Sequence, residues 1–170
     1  MTFPRTVGQV PLRYSCKSTG RPADEAGTIR AYVTGYIDET VLPLYPFGYG
    51  LSYTDFRYGE LELDRTQMAP GESITASIRV TNTGERPGSE VVQLYIRDRM
   101  ASVTRPVKEL KGFRKIWLEP GETQRVDFTI DAEMLKFHTP DLRYVYESGE
   151  FEVMAGPNSA RLSKSVFNAL

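Results

Sequence analysis

Three acidic residues spaced two apart, Glu60, Glu62 and Asp64, are the first candidates for chemistry in this sequence. Residues two apart on a strand are separated by about 6.6–6.8 Å, which falls within the carboxyl separation of inverting glycosidases. Such a pair, however, needs one carboxyl group in a dry environment and the other in a wet one. Alternation with Leu61 and Leu63 places all three acids on one face of a strand, and we interpret that face as solvent-exposed.

The only cysteine, Cys16, and the only histidine, His138, could in principle act as a nucleophile and its base. A lone cysteine excludes an internal disulfide and a cysteine-based zinc cluster, and a lone histidine excludes a two-histidine metal site. Residues 48–52 have only a superficial likeness to a phosphate-binding loop, because the third glycine and the lysine are missing. We therefore predict no catalytic, cofactor-binding or metal-binding residue in this chain.

A dense cluster of aromatic residues occupies positions 45 to 58. These side chains could stack on the apolar faces of sugar rings. Alternatively, they could attach a linker to the domains on either side by burying large areas, with their hydroxyl groups at the rim. We favour this second, structural interpretation. The members of the cluster are Tyr45, Phe47, Tyr49, Tyr53, Phe56 and Tyr58.

From Phe56 onward, apolar residues alternate with polar ones, which is the period of half-buried strands. The pattern, with turn sequences between the rows and no long helical period, predicts an all-β antiparallel sandwich of about seven strands. An irregular N-terminal segment precedes this sandwich. The rows fall at residues 61–63, 74–80, 92–96, 126–130, 151–155 and 166–167.

The turns between these rows have a recognisable chemistry. Residues 69–72 and 119–122 are nearly identical, and each places proline second and glycine third, as in a type II turn with positive φ at the glycine. Residues 108–118 keep no single parity, and Gly112 is a candidate bulge. A short helix is predicted at residues 132–137, opened by Asp131 as its N-cap and ended before a proline.

Residues 1–46 show no sustained period, and prolines interrupt them. Short apolar stretches at residues 7–12 and 29–33 are candidate strands that need a partner surface. Residues 44–54 combine aromatic side chains with glycines and prolines. We interpret them as an ordered linker, since flexible linkers are rich in glycine and serine and lack large apolar side chains.

Composition limits the partners of the chain. Its 170 residues carry 21 basic and 22 acidic side chains for a net charge of −1, which predicts neither a nucleic acid partner nor an anionic membrane surface. No apolar run is long enough to span a bilayer. The first residues have no apolar core of signal-peptide length, and we expect them to come from the middle of a longer protein.

Several motifs resemble the C-terminal region of family 3 glycoside hydrolases, the β-glucosidase-like enzymes. The sequences FPRTVGQVP (residues 3–11) and TGRP (19–22) resemble the end of the second, α/β-sandwich domain of these enzymes, and LYPFGYGLSYT (44–54) resembles the junction that follows it. Four further motifs resemble the fibronectin type III-like domain: VTNTG (80–84), GSEVVQLYI (88–96), KELKGF (108–113) and LEPGE (118–122).

The resemblance implies three parts: residues 1–43 from the end of the α/β-sandwich domain, residues 44–55 as an ordered junction, and residues 56–170 as an immunoglobulin/fibronectin type III-like sandwich. Family 3 enzymes are retaining exo-acting glycosidases, often periplasmic or secreted. Their nucleophile is an aspartate on an N-terminal barrel and their acid/base is typically a glutamate on the second domain. Neither position matches a residue of this chain. The resemblance thus implies a non-catalytic accessory portion without a cofactor.

Two further expectations concern partners. The resemblance implies that the barrel and α/β-sandwich domains of the same chain are the natural partners, with the sandwich supporting them. Without those domains, apolar residues such as Val7, Val10, Ile29 and Val33 would lack partners, and self-association of the isolated chain is expected. A free-standing module that binds carbohydrate or protein through an edge strand or the aromatic junction is the alternative.

Overall fold

A computed structural model of the chain describes residues 1–9, 12–18, 35–36 and 38–170. The candidate strand at residues 29–33, and Val10 in the stretch at 7–12, lie outside this part. The regular structure of the described part consists of strands and one short helix. The elements are β1 (Phe56–Tyr58), β2 (Glu62–Leu63), β3 (Gln67–Met68), β4 (Ile74–Asn82), β5 (Gly88–Asp98), β6 (Glu109–Leu118), β7 (Thr123–Ile130), α1 (Ala132–Leu135), β8 (Phe137–His138), β9 (Tyr144–Val145), β10 (Gly149–Gly156) and β11 (Ser163–Ala169).

Two sheets face each other, which confirms the predicted all-β antiparallel sandwich. In the smaller sheet, β4 pairs with β7 along one edge and with β1 and β2, end to end, along the other. In the larger sheet the strand order is β3-β11-β10-β5-β6, and only the β3–β11 pair is parallel. Strands β8 and β9 form a separate two-stranded sheet.

The core lies between the two sheets and follows the predicted alternation. On β4 the inward residues Ile74, Ala76, Ile78 and Val80 are buried, and burial of a valine or isoleucine side chain contributes about 1.5–3 kcal/mol. The larger sheet contributes its own inward rows. These are Val92, Leu94 and Ile96 from β5, Phe151, Val153 and Ala155 from β10, and Phe167 and Ala169 from β11.

Both predicted type II turns are present. Gly71 and Gly121 have φ of +83° and +78°, values that glycine adopts at low cost. Each turn is closed by a backbone hydrogen bond of 3.0 Å, from Glu72 to Ala69 and from Glu122 to Glu119. In both turns the glutamate side chain also accepts a hydrogen bond from the first residue of the turn. The repeated sequence therefore encodes a repeated local structure.

The bulge and the helix appear close to their predicted places. The β5–β6 register shifts between Leu94 and Tyr95, and the residue without a partner there is Lys111, next to Gly112. Asp131 is the N-cap of α1, and its side chain accepts a hydrogen bond of 3.0 Å from the amide of Met134. The helix ends at Leu135, two residues earlier than predicted, because the next residues pair in the β8–β9 sheet. This helix, which is alone in the described part of the chain, is too short to cross a membrane.

The described N-terminal residues are held by a few specific contacts. Phe3 pairs with Tyr45 as an isolated bridge. The buried side chain of Gln9 joins the N-terminal residues to residues 40–42. Its amide nitrogen donates to the carbonyl oxygens of Thr40 (2.7 Å) and Leu42 (2.9 Å). Val7, by contrast, is almost completely exposed.

Candidate functional site

The outer face of the larger sheet is covered where β5 meets β10. Val92, Leu94 and Ile96 point into the core, so Gln93 and Tyr95 must point to the opposite face. A half-exposed sheet would leave that face in water, yet both side chains are buried, and Tyr95 has no exposed surface at all. Another part of the chain therefore lies on top of them.

That covering part is the junction together with the segment around Tyr14. The ring of Phe47 stacks on the ring of Tyr14 with centroids 4.0 Å apart, and Tyr14 in turn meets Tyr95 edge-on at 5.9 Å. Aromatic contacts of this kind contribute about 0.5–1.5 kcal/mol each beyond the area they bury. Burial also raises the pKa of the Tyr95 phenol, with Tyr14 adding to the rise, so that Tyr95 stays a neutral hydrogen-bond donor.

Gln93 forms the first of two clamps that hold the junction. Its amide nitrogen donates to the carbonyl oxygens of Gly48 (3.1 Å) and Pro157 (2.7 Å), and its amide oxygen accepts from the hydroxyl of Tyr95. The amide of Ser159 adds a hydrogen bond of 2.9 Å to the carbonyl oxygen of Phe47. Because the Gln93 side chain is buried, leaving its amide without partners would cost about 1–3 kcal/mol.

Gly48 is required by this clamp on two counts. Its φ of +80° lies in the left-handed region that favours glycine. A Cβ added at this position would lie 2.1 Å from the side-chain oxygen of Gln93, far inside van der Waals contact. The glycine therefore allows the junction backbone to approach the sheet closely enough for Gln93 to bind it.

Asn82, which is completely buried at the end of β4, forms the second clamp. Its amide nitrogen donates to the carbonyl oxygens of Arg86 (2.7 Å) and Leu118 (3.1 Å). Its amide oxygen accepts from the amide of Gly84 (3.1 Å) and from the hydroxyl of Thr54 (2.7 Å). The side chain thus fixes the end of the junction, a turn and the end of β6 at once.

Two glycines receive Thr54 at the second clamp. A Cβ at Gly84 would lie 2.3 Å from the Thr54 hydroxyl oxygen, and a Cβ at Gly88 would lie 2.7 Å from its methyl carbon. A backbone hydrogen bond of 2.8 Å from Thr83 to Asp55 completes the attachment. The junction is therefore bound at both ends, by Gln93 near Gly48 and by Asn82 near Thr54.

Between the two clamps, residues 49–53 form a loop that points apolar side chains into solvent. Leu51 is 90% exposed and Tyr53 is 93% exposed, whereas most large apolar residues of the sandwich are buried. Tyr49 is half-exposed and its ring lies 5.0 Å from that of Tyr45. Within the aromatic cluster, Phe47, Phe56 and Tyr58 pack against the domain as we predicted, but Tyr53 does not.

The acidic candidates lie apart from this site. Glu60, Glu62 and Asp64 are all exposed, in agreement with the solvent-exposed face that we predicted. Strand β2 contains only Glu62 of the three, and Glu60 and Asp64 instead accept hydrogen bonds from Ser163 (3.3 Å) and Thr75 (2.9 Å). No dry carboxyl group exists among these three, so they do not form the unequal pair that acid–base catalysis of glycoside cleavage needs.

Cys16 and His138 are placed on different elements. Cys16 is exposed beside the β5–β6 loop, where its carbonyl oxygen accepts a hydrogen bond of 2.8 Å from Val107. His138 lies in β8 with its ring 4.7 Å from that of Tyr144. Across the described residues, no three histidine, cysteine or acidic side chains are arranged to hold a metal ion.

The polar residues that organise the site were missed in the sequence, as was one carboxyl group. Gln93 and Asn82 occur in strands, where a polar residue normally indicates a solvent-facing position.

Glu90 is half-buried and accepts a hydrogen bond of 2.7 Å from the hydroxyl of Tyr58. Burial raises the pKa of Glu90, and the Tyr58 hydrogen bond and the charge of Arg161 offset part of this rise. In the sequence, the only signal for the two clamps is glycine at positions 48, 84 and 88, because glycine within or beside a strand can mark close approach of another backbone.

The domain is a two-layer antiparallel β-sandwich, and the junction and the segment around Tyr14 cover part of the outer face of its larger sheet. A family model, "Fibronectin type III-like domain", matches residues 90–159. The chain is 48% identical over all 170 residues to the periplasmic beta-glucosidase of Salmonella typhimurium, of which it covers 22%. It is 44% identical over 167 residues, 98% of its length, to a putative beta-xylosidase of Formosa agariphila, of which it covers 21%.

The solved structures that match the chain include beta-glucosidases, as the sequence relatives do. A beta-glucosidase from Listeria innocua, crystallised with isofagomine, superposes on 99% of the chain with a TM-score of 0.91 and 37% identity, and the chain covers 24% of that structure. The chain is therefore similar over its whole length to a C-terminal portion of beta-glucosidases and beta-xylosidases, and residues 90–159 match the fibronectin type III-like domain. It spans about a fifth of the length of the relatives, which are larger, multidomain proteins.

Proposed function

We propose that this chain is the non-catalytic accessory portion of a family 3 glycoside hydrolase and that it supports the catalytic domains of the same polypeptide. The observation that carries the proposal is the covered outer face of the sandwich. Gln93 and Tyr95 are committed to binding the junction, which is the stretch of chain that connects the sandwich to the preceding segment. A domain whose buried polar groups hold its own connection acts as a fixed support.

The same proposal assigns the parts of the chain. Residues 1–43 are the end of the α/β-sandwich domain, residues 44–55 are the junction and residues 56–170 are the sandwich. We place no catalytic, cofactor-binding or metal-binding residue among them. The barrel and the α/β-sandwich domain are the proposed partners. When the chain is isolated from them, exposed apolar residues such as Val7 and Leu51 favour self-association.

A chimera tests this function. The C-terminal part of the Salmonella typhimurium periplasmic beta-glucosidase that aligns with this chain is replaced by the 170 residues. We expect the chimera to fold and to hydrolyse an aryl β-glucoside at a rate near that of the parent, because the exchanged and the original sequences are 48% identical over all 170 residues, junction and sandwich included. The matched control is the same enzyme truncated before the aligned region, which should lose solubility or activity. A truncated enzyme as stable and active as the chimera would contradict the proposal.

A further inference from the structure

We infer that a cleft at the side of the sandwich is a binding site for a ligand that carries a carboxylate or phosphate oxyanion. The cleft lies between β1 and the hairpin that β10 and β11 form, and it is lined by residues 56–60, 155–157 and 161–164. We call it the β1 cleft. Its volume is about 550 Å³, a size typical of small-molecule sites. This site goes beyond the proposed supporting role and does not depend on it.

The walls of the β1 cleft are tied together by short contacts. The hydroxyl of Ser163 accepts a hydrogen bond from the amide of Leu61 (2.9 Å) and donates to the carboxylate of Glu60 (3.3 Å). This side chain therefore attaches the chain that follows β1 to the start of β11. Gly156 lets the end of β10 approach closely, since a Cβ there would lie 2.0 Å from the carbonyl oxygen of Arg161. The cleft is thus formed before a ligand binds, which lowers the entropy cost of binding.

Strand β1 offers backbone hydrogen-bonding groups along one wall of the cleft. The amide of Gly59 donates to the carbonyl oxygen of Arg79 on β4 at 2.8 Å. In an antiparallel ladder successive residues face opposite ways, so the N–H and C=O groups of Phe56 and Tyr58 point away from β4. Within the described part of the chain, no strand pairs with this second edge of β1. Its N–H groups are donors of the kind that oxyanions accept from.

Basic side chains outnumber acidic ones around the β1 cleft. Arg57, Arg161 and Lys164 line it, and Glu60 is the acid among the lining residues that the structure describes. Neither arginine forms an ion pair with a described residue, whereas Arg143 elsewhere on the sandwich pairs with an acid. A cleft with walls of low dielectric constant focuses the field of such charges and concentrates ligands of opposite charge.

The guanidinium groups determine the class of ligand. Arginine presents a planar fork that donates two parallel hydrogen bonds to a carboxylate or phosphate group. Phe56 and Tyr58 pack against the core, so Arg57 between them points to the outer side of β1, while Arg161 belongs to the opposite wall. The Tyr58 hydroxyl is already committed to Glu90. A ligand in the cleft would meet one guanidinium from each wall, which favours an acidic sugar or a phosphate over a neutral sugar.

Titration of the 170-residue chain, followed by the NMR shifts of its backbone amides, tests the site. The probes are inorganic phosphate and D-glucuronate, with D-glucose as the neutral control, all at one ionic strength set with sodium chloride. We expect saturable shifts at Phe56, Tyr58 and residues 161–164 with at least one of the two anions, and none with glucose. Saturation by both would show that the oxyanion alone is sufficient. Saturation by glucuronate alone would identify an acidic sugar as the ligand, and saturation by phosphate alone a phosphate group.

Substitution of the two arginines separates a built site from general attraction of anions. Arg57→Gln and Arg161→Gln should each weaken binding about tenfold or more, because each removes a charge-assisted contact. The matched control Arg143→Gln removes the same charge outside the cleft, where Arg143 pairs with Asp141, and should leave the affinity unchanged. The urea unfolding midpoint of each variant checks that it is folded.

Three results would overturn the inference: shifts that rise without saturation, shifts that glucose produces equally, or binding that survives both arginine substitutions. The proposed supporting role would stand in each case, because the chimera tests it separately.

Discussion

Gly48 carries the tightest contact in the junction, and replacing it separates two effects. Gly71→Ala, at φ +83° with open space around it, should lower the free energy of unfolding by about 1–2 kcal/mol through the backbone alone. Gly48→Ala has the same backbone cost and also displaces the clamped Gln93 amide, so a further loss of about 1–3 kcal/mol is expected. Urea unfolding of both variants measures the difference. Equal losses would show that Gln93 moves aside freely.

Glu90 should make stability depend on pH in a predictable direction. Its pKa is raised by burial in the folded chain. Ionisation therefore disfavours folding, and stability is lost as the pH rises from about 4, where the unfolded group titrates, through the higher folded pKa. Glu90→Gln keeps an acceptor for Tyr58 and cannot ionise. The unfolding free energy of this variant relative to the wild type should rise across that window, and a difference constant from pH 4 to 8 would contradict the assignment.

Among single residues, those of the core were predictable from the sequence, whereas the clamp residues Gln93 and Asn82 were not. Ile78 and Val80 alternate with Ser77 and Arg79, and this local pattern is sufficient to assign their side. Gln93 follows the same alternation to the outer face, but its burial depends on Phe47 and Gly48, which lie far away in sequence. A period of two identifies the face of a residue, and only the tertiary structure shows what covers that face.

Among the elements, the strands differ from the N-terminal segment in the number of partners that hold them. Strand β4 is paired along both edges, and so is the second half of β5. Residues 2–9 are held to the rest of the chain mainly by the Phe3–Tyr45 bridge and the side chain of Gln9. Local opening is therefore expected to be much easier in this segment.

Hydrogen exchange measures this difference directly. Amides of residues 2–9 should exchange at least about a hundredfold faster than those of β4, because opening the segment breaks few buried contacts. Strand β4 is the internal reference, since it is paired with β7 along one edge and with β1 and β2 along the other. Equal protection of the two regions in a monomer would show that the N-terminal segment is an integral part of the sandwich.

Elements that keep one parity were predicted within a few residues, and elements that do not were predicted less well. Strand β4 and the two type II turns agree with their sequence patterns. Strand β2 is only two residues long, although Leu61 and Leu63 suggest a longer strand. The amide of Leu61 instead donates to the Ser163 hydroxyl of the opposite sheet at 2.9 Å, a long-range bond that no local pattern reveals.

For the whole molecule, the resemblance and the fold lead to one negative prediction. The purified 170-residue chain should not hydrolyse p-nitrophenyl glucoside, because its exposed acids Glu60, Glu62 and Asp64 form no pair in differing environments. A discontinuous assay at high protein concentration, with the Salmonella typhimurium enzyme as the positive control, measures this. Turnover that disappears when one of these acids is changed to its amide would contradict the assignment of a non-catalytic role.

The overall architecture was predictable because sandwich, turns and junction all leave local patterns in the sequence. The motif at residues 44–54 contains Phe47, Gly48 and Thr54, which the structure shows to be the residues bound by the sandwich. The exposure of Leu51 and Tyr53 could not be foreseen, since apolar residues in a linker are expected to pack.

The two clamps have a geometric consequence. A body tethered at one point can still rotate about that point, whereas attachment at two separated points removes most of its freedom to turn. Gln93 and Asn82 grip the connection at either end of residues 48–54. The sandwich would therefore fix both the orientation and the position of the segment that precedes residue 48.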